Sequence, residues 1–330
     1  MGALLLSIFF STFALAPAHA ARGPSPLPRR EMARLHSPKS FVVFDWDDNV
    51  FKLPTRLILF AKEENSTHSD SRLFYISPLE LSLFKHEVGV AGSPLEKLKL
   101  VTDAIDPTHG TFRHTMPGTG GRNYMHEDMT AAVTKDGVPL DQIPDELKSP
   151  FFDLFMARES NPETRKANRI LTGRGQTKDE LYQALSLLAT VPEIRNNGFA
   201  PPEYERVTLV GGRGNAWMLK AEDLTTRMHE AAAQGYTLFA FQDDDPMNIR
   251  KATEVLAALE RPIDVWLIWT RGNGDSRLID LSQLDAARGI TVDLLLERAL
   301  GHGQSAKELA SGHSQHEIER SAIMCRALFF

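Results

Sequence analysis

The sequence predicts an α/β fold with a Rossmann-like, doubly wound parallel sheet and a cap region inserted between the first and second core strands. Short apolar segments alternate with segments of helical spacing, which is typical of parallel sheets with right-handed crossovers. Acidic residues or glycines follow several of these apolar segments, at the strand ends where ligands bind in open sheets. The interval 61–165 interrupts the alternation with weak periodicity and many turn signals, which indicates an inserted subdomain.

The first predicted strand is Phe41-Val42-Val43-Phe44, four apolar residues of which two are β-branched. It leads directly into Asp45 and Asp47, two carboxylates that are separated by one residue. Clustered acids at the end of a buried strand repel each other unless a cation or a proton compensates their charge. This pattern therefore indicates a metal-assisted carboxylate site.

Two other interpretations of this acidic segment must be weighed. Asp-x-Asp-x-Asn also opens a calcium-binding EF-hand loop, which requires Gly at its sixth position and Glu at its twelfth. Val50 and Arg56 occupy those positions here, and no helical pattern precedes the loop, so this interpretation fails. A solvated turn after the strand remains as the other alternative.

Four further strands complete the predicted sheet: 169–172, 207–210, 237–241 and 264–270. Thr177 and Glu180 form a predicted capping box for the helix after the second strand. A helix from about Lys220 to Gln234 should end at Gly235, and Asp245 with Pro246 should begin the next helix.

These patterns divide the chain into five predicted parts. They are a signal peptide (1–20), a flexible lead-in (21–38), a core in two pieces (39–60 and 166–284), an inserted cap (61–165) and a helical C-terminal tail (285–330). The apolar stretch of the first part is too short to span a bilayer, and Ala18-His19-Ala20 suits signal peptidase, although no Lys or Arg precedes the stretch. We therefore expect a periplasmic or secreted protein without a membrane span after cleavage.

Charge and cysteine content restrict the possible partners. The net charge of −6 argues against a general nucleic-acid surface, since phosphate backbones require a positive field. The single cysteine, Cys325, excludes an internal disulfide and a cysteine metal cluster. A small molecule is therefore the expected substrate, and the sequence does not define an oligomeric state.

Four motifs fall at strand ends or near a helix start in a fixed order: Asp45-Trp46-Asp47-Asp48-Asn49-Val50, Leu171-Thr172-Gly173-Arg174, Lys220, and Asp243-Asp244-Asp245. This order resembles the haloacid dehalogenase (HAD) superfamily of phosphohydrolases and phosphotransferases. The resemblance covers roughly 39–280, with the cap as a gap. Asn49 stands where that family usually has Thr or Val.

The resemblance implies a role for each motif in the hydrolysis of a phosphate monoester. Asp45 would be the nucleophile that forms an aspartyl-phosphate, and Asp47 would act as general acid and then as general base. Thr172 and Lys220 would hold the transferring phosphoryl group. The implied cofactor is Mg²⁺, with ligands from Asp45, the backbone carbonyl of Asp47, and one residue of the pair Asp243 and Asp244.

Three functions remain open from the sequence. The favoured hypothesis is an exported, magnesium-dependent phosphatase acting on a small phosphorylated substrate. A phosphatase of nucleotides or nucleic-acid ends is the second, because Arg113, Arg122, Arg165 and Lys166 could supply local positive charge to the cap. A non-catalytic binding module that keeps the fold and the metal is the third, although the presence of both Asp45 and Asp47 argues against it.

Overall fold

The fold is built around one six-stranded sheet with helices on both faces. The structure, a computed structural model, describes residues 26–52, 57–61, 73–76, 91, 100–102, 112–114, 124–173, 177–199, 204–210, 216–270 and 275–300. The predicted signal peptide, the segment after residue 300 and the sequence Arg174-Gly175 lie outside these ranges. None of the described helices is long and apolar enough to cross a membrane.

The strands and helices are numbered in chain order. The strands are β1 (Ser40–Phe44), β2 (Leu57–Ala61), β3 (Leu73–Ile76), β4 (Leu100–Thr102), β5 (Phe112–His114), β6 (Thr134–Lys135), β7 (Val138–Pro139), β8 (Asn168–Thr172), β9 (Val207–Leu209), β10 (Leu238–Asp243), β11 (Asp264–Thr270) and β12 (Ser276–Asp280). The helices are α1 (Arg29–Leu35), α2 (Tyr124–Val133), α3 (Phe152–Ser160), α4 (Pro162–Arg165), α5 (Lys178–Ser186), α6 (Pro192–Asn196), α7 (Ala216–Ala233), α8 (Pro246–Ala257) and α9 (Val292–Leu300). Short 3₁₀ turns complete the described elements.

The central sheet has the strand order β12-β11-β10-β1-β8-β9. All neighbouring strands pair in parallel except β11 and β12, which are antiparallel. The prediction of a mostly parallel α/β sheet is therefore confirmed, and the five predicted strands all form. The antiparallel edge strand β12 was not predicted, because its short sequence, with polar residues at both ends, lacks an apolar run.

Two apolar layers cover the faces of this sheet. Alternate residues of β1 point to opposite sides, so Val42 and Phe44 join one cluster while Phe41 and Val43 join the other. Helices α1, α2, α3 and α5 pack in the first cluster, and α7, α8 and α9 pack in the second. Each strand of the sheet interior is thus buried on both faces, as its nearly continuous apolar sequence requires.

The interval predicted as a cap contains two kinds of structure. Its first half includes most of a separate four-stranded sheet of order β3-β2-β5-β4. The first strand of this sheet, β2, starts at Leu57, in the segment that was predicted as core. In its second half, Met129 of α2 and Phe155 of α3 lie in the same apolar cluster as Phe44 of the central sheet. The interval 61–165 therefore contributes helices to the core layer as well as a sheet of its own.

The predicted C-terminal tail begins with structure that packs on the core. Leu295, Leu296 and Leu300 of α9 are buried in the second apolar cluster, together with Leu256 of α8. Helix α9 is therefore part of the layer that covers this face.

A buried polar network anchors the end of the sheet opposite to the strand ends that carry acids. The Arg158 guanidinium donates to the backbone carbonyls of Leu35 and Ser40 and to the Asn168 side chain, the last two at 2.7 and 2.6 Å. Glu159 accepts hydrogen bonds from Asn168 at 2.9 Å and from Arg206 at 2.9 and 3.2 Å. The network thereby links the starts of β1 and β8 to helix α3.

Removal of one partner from this network should be strongly destabilising. Arg206→Ala leaves the Glu159 carboxylate buried without its direct ion pair, which typically costs about 3–5 kcal/mol of unfolding free energy. Arg288→Ala is the matched control, because its ion pair with Asp285 lies on an 81% exposed side chain and should contribute less than about 1 kcal/mol. Urea denaturation of both variants measures the difference, and equal losses would contradict the structural role of the network.

Candidate functional site

The candidate site begins where β1 and β10 end side by side. Phe44 pairs with Gln242 in the parallel register, and the Asp45 backbone N–H donates to the Gln242 carbonyl at 3.1 Å. Asp243, the last residue of β10, therefore lies next to Asp45 although the two are nearly two hundred residues apart in the chain. Side chains alternate between the two faces along each strand, and Asp45 and Asp243 both point to the face of the second apolar cluster. Helix α7 covers this face.

Three acidic side chains converge at this edge of the sheet. One carboxylate oxygen from each of Asp45, Asp243 and Asp244 lies within 4.8 Å of the others. Asp45 and Asp243 are buried, and Asp244 is half-buried. The predicted convergence of the first and fourth motifs is therefore present in the described part of the chain.

Lys220 lies between two of these carboxylates. Its ammonium donates to Asp45 Oδ1 at 2.9 Å and to Asp243 Oδ2 at 2.6 Å. Its side chain is only 4% exposed, because α7 covers this face of the sheet. The helix begins at Ala216 rather than near Lys220 as predicted, so the lysine lies in its second turn.

Asp243 is held by several donors. Its Oδ1 accepts from the Asp245 backbone N–H at 2.9 Å, and both of its oxygens accept from Asn248 Nδ2 at 3.0 Å. Lys220 completes this set at Oδ2. Sequence reasoning missed Asn248; its position in the first turn of the helix capped by Asp245 was the only available signal.

Asp244 has a different environment from Asp243. Asn49 Nδ2 contacts Asp244 Oδ1 at 3.4 Å and also the backbone carbonyl of Asp47 at 3.4 Å. The Asp244 backbone carbonyl accepts from Trp269 Nε1 at 3.0 Å, which fixes the main chain while leaving the carboxylate near the acidic loop. Asn49 therefore connects the first and fourth motifs.

The loop after β1 is a tight turn that buries aromatic side chains. The Val50 N–H donates to the Trp46 carbonyl at 3.1 Å, and the Asp48 N–H donates to the Phe51 carbonyl at 2.8 Å. Asp48 has a φ of 56°, a left-handed conformation that Asp adopts more readily than most residues. The Trp46 ring stacks on Phe51 at 5.4 Å, so the aromatic residues fix the loop that carries Asp45 and Asp47.

Burial and crowding change the proton affinities of the cluster. Burial raises the pKa of Asp45 to about 8, against the opposing effect of the Lys220 charge. Burial, and next the negative charge of Asp48, raise the pKa of Asp244 well above its usual value. Burial alone would lower the pKa of the Lys220 ammonium, but Asp243 and Asp45 outweigh it and raise that pKa. The acids therefore need a proton or a second cation.

The chemistry of the cluster fits a divalent cation. Within the described part of the chain, three carboxylates and one ammonium leave two negative charges uncompensated when the acids are ionised. The donors are hard oxygen atoms, which suit Mg²⁺ and other hard cations. The cluster could therefore hold a metal ion, with Asp244 as the carboxylate whose described donor, Asn49, is uncharged and lies at a long 3.4 Å.

Two predicted site residues lie at the same edge of the sheet as this cluster but outside the group of three acids. Thr172 ends β8, the strand beside β1, and it is buried at the same edge of the sheet. Asp47 is half-buried in the loop after Asp45. The structure thus brings the described residues of all four sequence motifs to one edge of the sheet.

Comparisons with known proteins add no identification. The chain matches no protein-family model, no curated protein and no solved structure.

We expect Asp244 to contribute more to metal binding than Asp243. Mg²⁺ should raise the melting temperature by binding to the native state. Asp244→Asn removes a charged ligand, so it should remove most of this increase. Asp245→Asn is the matched control, since Asp245 caps α8 through the Met247 N–H and asparagine caps equally well. Differential scanning fluorimetry with and without Mg²⁺ measures both, and an equal Mg²⁺ effect in wild type and Asp244→Asn would contradict this assignment.

Metal binding should release protons and strengthen with pH. In the metal-free protein the folded state keeps protons that the unfolded chain loses above about pH 4, so the free energy of unfolding falls as pH rises toward about 8. A divalent cation displaces such a proton, so its affinity should rise up to about tenfold per pH unit for each proton released. Calorimetry in Tris and Pipes buffers counts the protons released, and a count of zero between pH 6 and 8 would contradict the raised pKa of Asp45.

Proposed function

We propose that the protein is a magnesium-dependent, HAD-like phosphatase that hydrolyses a phosphate monoester through an aspartyl-phosphate on Asp45. The observation that carries this proposal is the contact of Lys220 with Asp45 and Asp243, beside the carboxylate of Asp244. A nucleophilic carboxylate, a buried cation and a set of hard oxygen ligands are the groups that this chemistry needs in one place.

Asp45 is the proposed nucleophile. Lys220 engages its Oδ1, which orients the carboxylate and leaves Oδ2 as the atom that attacks phosphorus. A bound Mg²⁺ would offset the negative charge of the acids and of the phosphoryl oxygens. Under those conditions Asp45 is ionised despite its raised pKa in the metal-free protein.

Asp47 is the proposed acid and base. As the bond from Asp45 Oδ2 to phosphorus forms and the ester bond breaks, Asp47 gives its proton to the leaving oxygen. It then takes a proton from the water that attacks the aspartyl-phosphate, which releases inorganic phosphate and regenerates Asp45. Thr172 and Lys220 donate hydrogen bonds to the phosphoryl oxygens in both steps.

The remaining features of the proposal concern location and substrate. The segment 1–20 supports export to the periplasm or the medium, as expected from its apolar stretch and its Ala-x-Ala site. A small phosphorylated molecule is favoured over nucleic-acid ends because of the acidic net charge. A non-catalytic binding module would bind metal as well, and turnover separates that alternative from an enzyme.

Asp45→Asn should abolish turnover of para-nitrophenyl phosphate by the magnesium-loaded protein. The change keeps the size of the side chain but removes the attacking charge, so kcat should fall by roughly three or more orders of magnitude. Asp141→Asn, at an exposed position, is the control and should keep wild-type activity. Steady-state kinetics with and without Mg²⁺ measure this.

The same assay separates the competing hypotheses. Absence of turnover in the wild-type protein across a panel of phosphate monoesters, with Mg²⁺ binding intact, would favour the non-catalytic module. An Asp45→Asn variant that keeps more than about a tenth of the wild-type rate would show that Asp45 is not the nucleophile.

A further inference from the structure

Two exposed apolar side chains lie beside the candidate site. The large apolar residues that are exposed in the described part of the chain are Val138, Tyr182, Trp217 and Met247. Trp217 is 37% exposed and Met247 is 43% exposed, and each is the second residue of its helix, α7 and α8 respectively. Both helices follow parallel strands, so both begin at the edge of the sheet that carries the acidic cluster.

The helix geometry places these side chains at the helix ends that lie nearest to the acidic cluster. Helical side chains lean toward the N-terminus of their helix, which here is the end next to the acidic cluster. Trp217 precedes Lys220 by three residues and therefore lies on the same face of α7, one turn closer to that end. Met247 directly precedes Asn248, which binds Asp243.

A cation joins the two helices at this surface. The Lys251 ammonium lies 5.8 Å from the centre of the Trp217 ring, within the range of a cation–π contact. Lys251 is one turn beyond Met247 on the same face of α8, so its contact with the indole connects Trp217 to the exposed start of α8. Glu254 lies 3.5 Å from the ammonium and keeps it on this side of the helix.

These residues are not needed to bury their helices. Helix α7 already packs on the sheet through Leu224 and Met228, and α8 does so through Ile249 and Leu256. An exposed indole and an exposed thioether at the edge of the sheet that carries a strongly acidic site instead offer an apolar contact to the part of a substrate that extends away from the phosphate.

We propose that Trp217 and Met247 form an apolar subsite that accepts an aromatic leaving group of the phosphate monoester. This inference rests on the proposed phosphatase function and specifies its substrate class. The ring of the leaving group would stack on Trp217 while the phosphate is held at Asp45 and Lys220. Lys251, in contact with the same indole, favours substrates whose leaving group is neutral or anionic over cationic ones.

Benzyl phosphate and ethyl phosphate test the subsite, because both release an alkoxide and differ mainly in the ring. Wild-type kcat/KM should favour benzyl phosphate by about tenfold. Trp217→Ala should remove most of this preference and change kcat/KM for ethyl phosphate less than about twofold. Trp217→Phe should keep most of the preference, since phenylalanine preserves the aromatic face. Val138→Ala, at an exposed position in the β7 hairpin, should behave as wild type.

A binding measurement separates failure of the subsite from failure of the proposed function. Calorimetry with benzylphosphonate and methylphosphonate, which are not hydrolysed, should show tighter binding of the former, and Trp217→Ala should abolish the difference. Turnover of both esters with equal kcat/KM would overturn the subsite and leave the phosphatase intact. Absence of any turnover would overturn the phosphatase; the subsite itself falls if the phosphonates also bind equally.

Discussion

The position of the Lys220 ammonium between Asp45 and Asp243 is the contact on which the site depends. Two carboxylates at the ends of neighbouring strands cannot both be ionised in a buried setting without a cation between them. The contact requires β1 and β10 to be adjacent and α7 to cover the face toward which both acids point. The strand order and the helix layer of the core are therefore the conditions under which the acidic motifs meet.

Asp243 and Asp244, the paired acids at the end of β10, have different environments, which indicates a division of roles. Asp243 accepts from Lys220, Asn248 and the Asp245 N–H, so its carboxylate is engaged in holding the lysine and the start of α8. Asp244 meets the acidic loop, with Asn49 as its described donor at a long 3.4 Å. An acid with few donors and a raised pKa gains most from a metal ion.

The sequence predicted the features that local chemistry determines. Continuous apolar runs located β1, β8, β9, β10 and β11, and the capping box of Thr177 with Glu180 forms as expected. Asp245 and Pro246 begin α8, also as expected. The prediction missed features that depend on tertiary contact: β12 pairs only because β11 offers an edge, and Asn248 matters only because Asp243 lies against it. The predicted helix α7 also began too late, near Lys220 instead of at Ala216. The first turn is half-exposed, so the apolar periodicity before Lys220 is weak.

Buried charged side chains fix strand β1 at both of its ends, and the two groups differ in their balance of charge. At its start the Arg158 guanidinium donates to the backbone of Ser40, within a network whose acid, Glu159, has two oxygens satisfied by Arg206 and Asn168. At its far end the acids outnumber Lys220, the cation that contacts them among the described residues, so that end gains from a further positive charge. In the first network both oxygens of the acid accept hydrogen bonds from the protein, which supplies rigidity, whereas the second group of acids needs a proton or a further cation. A metal ion would therefore bind next to a strand that is already held in position. The cost of ordering the chain would then offset little of the free energy of binding.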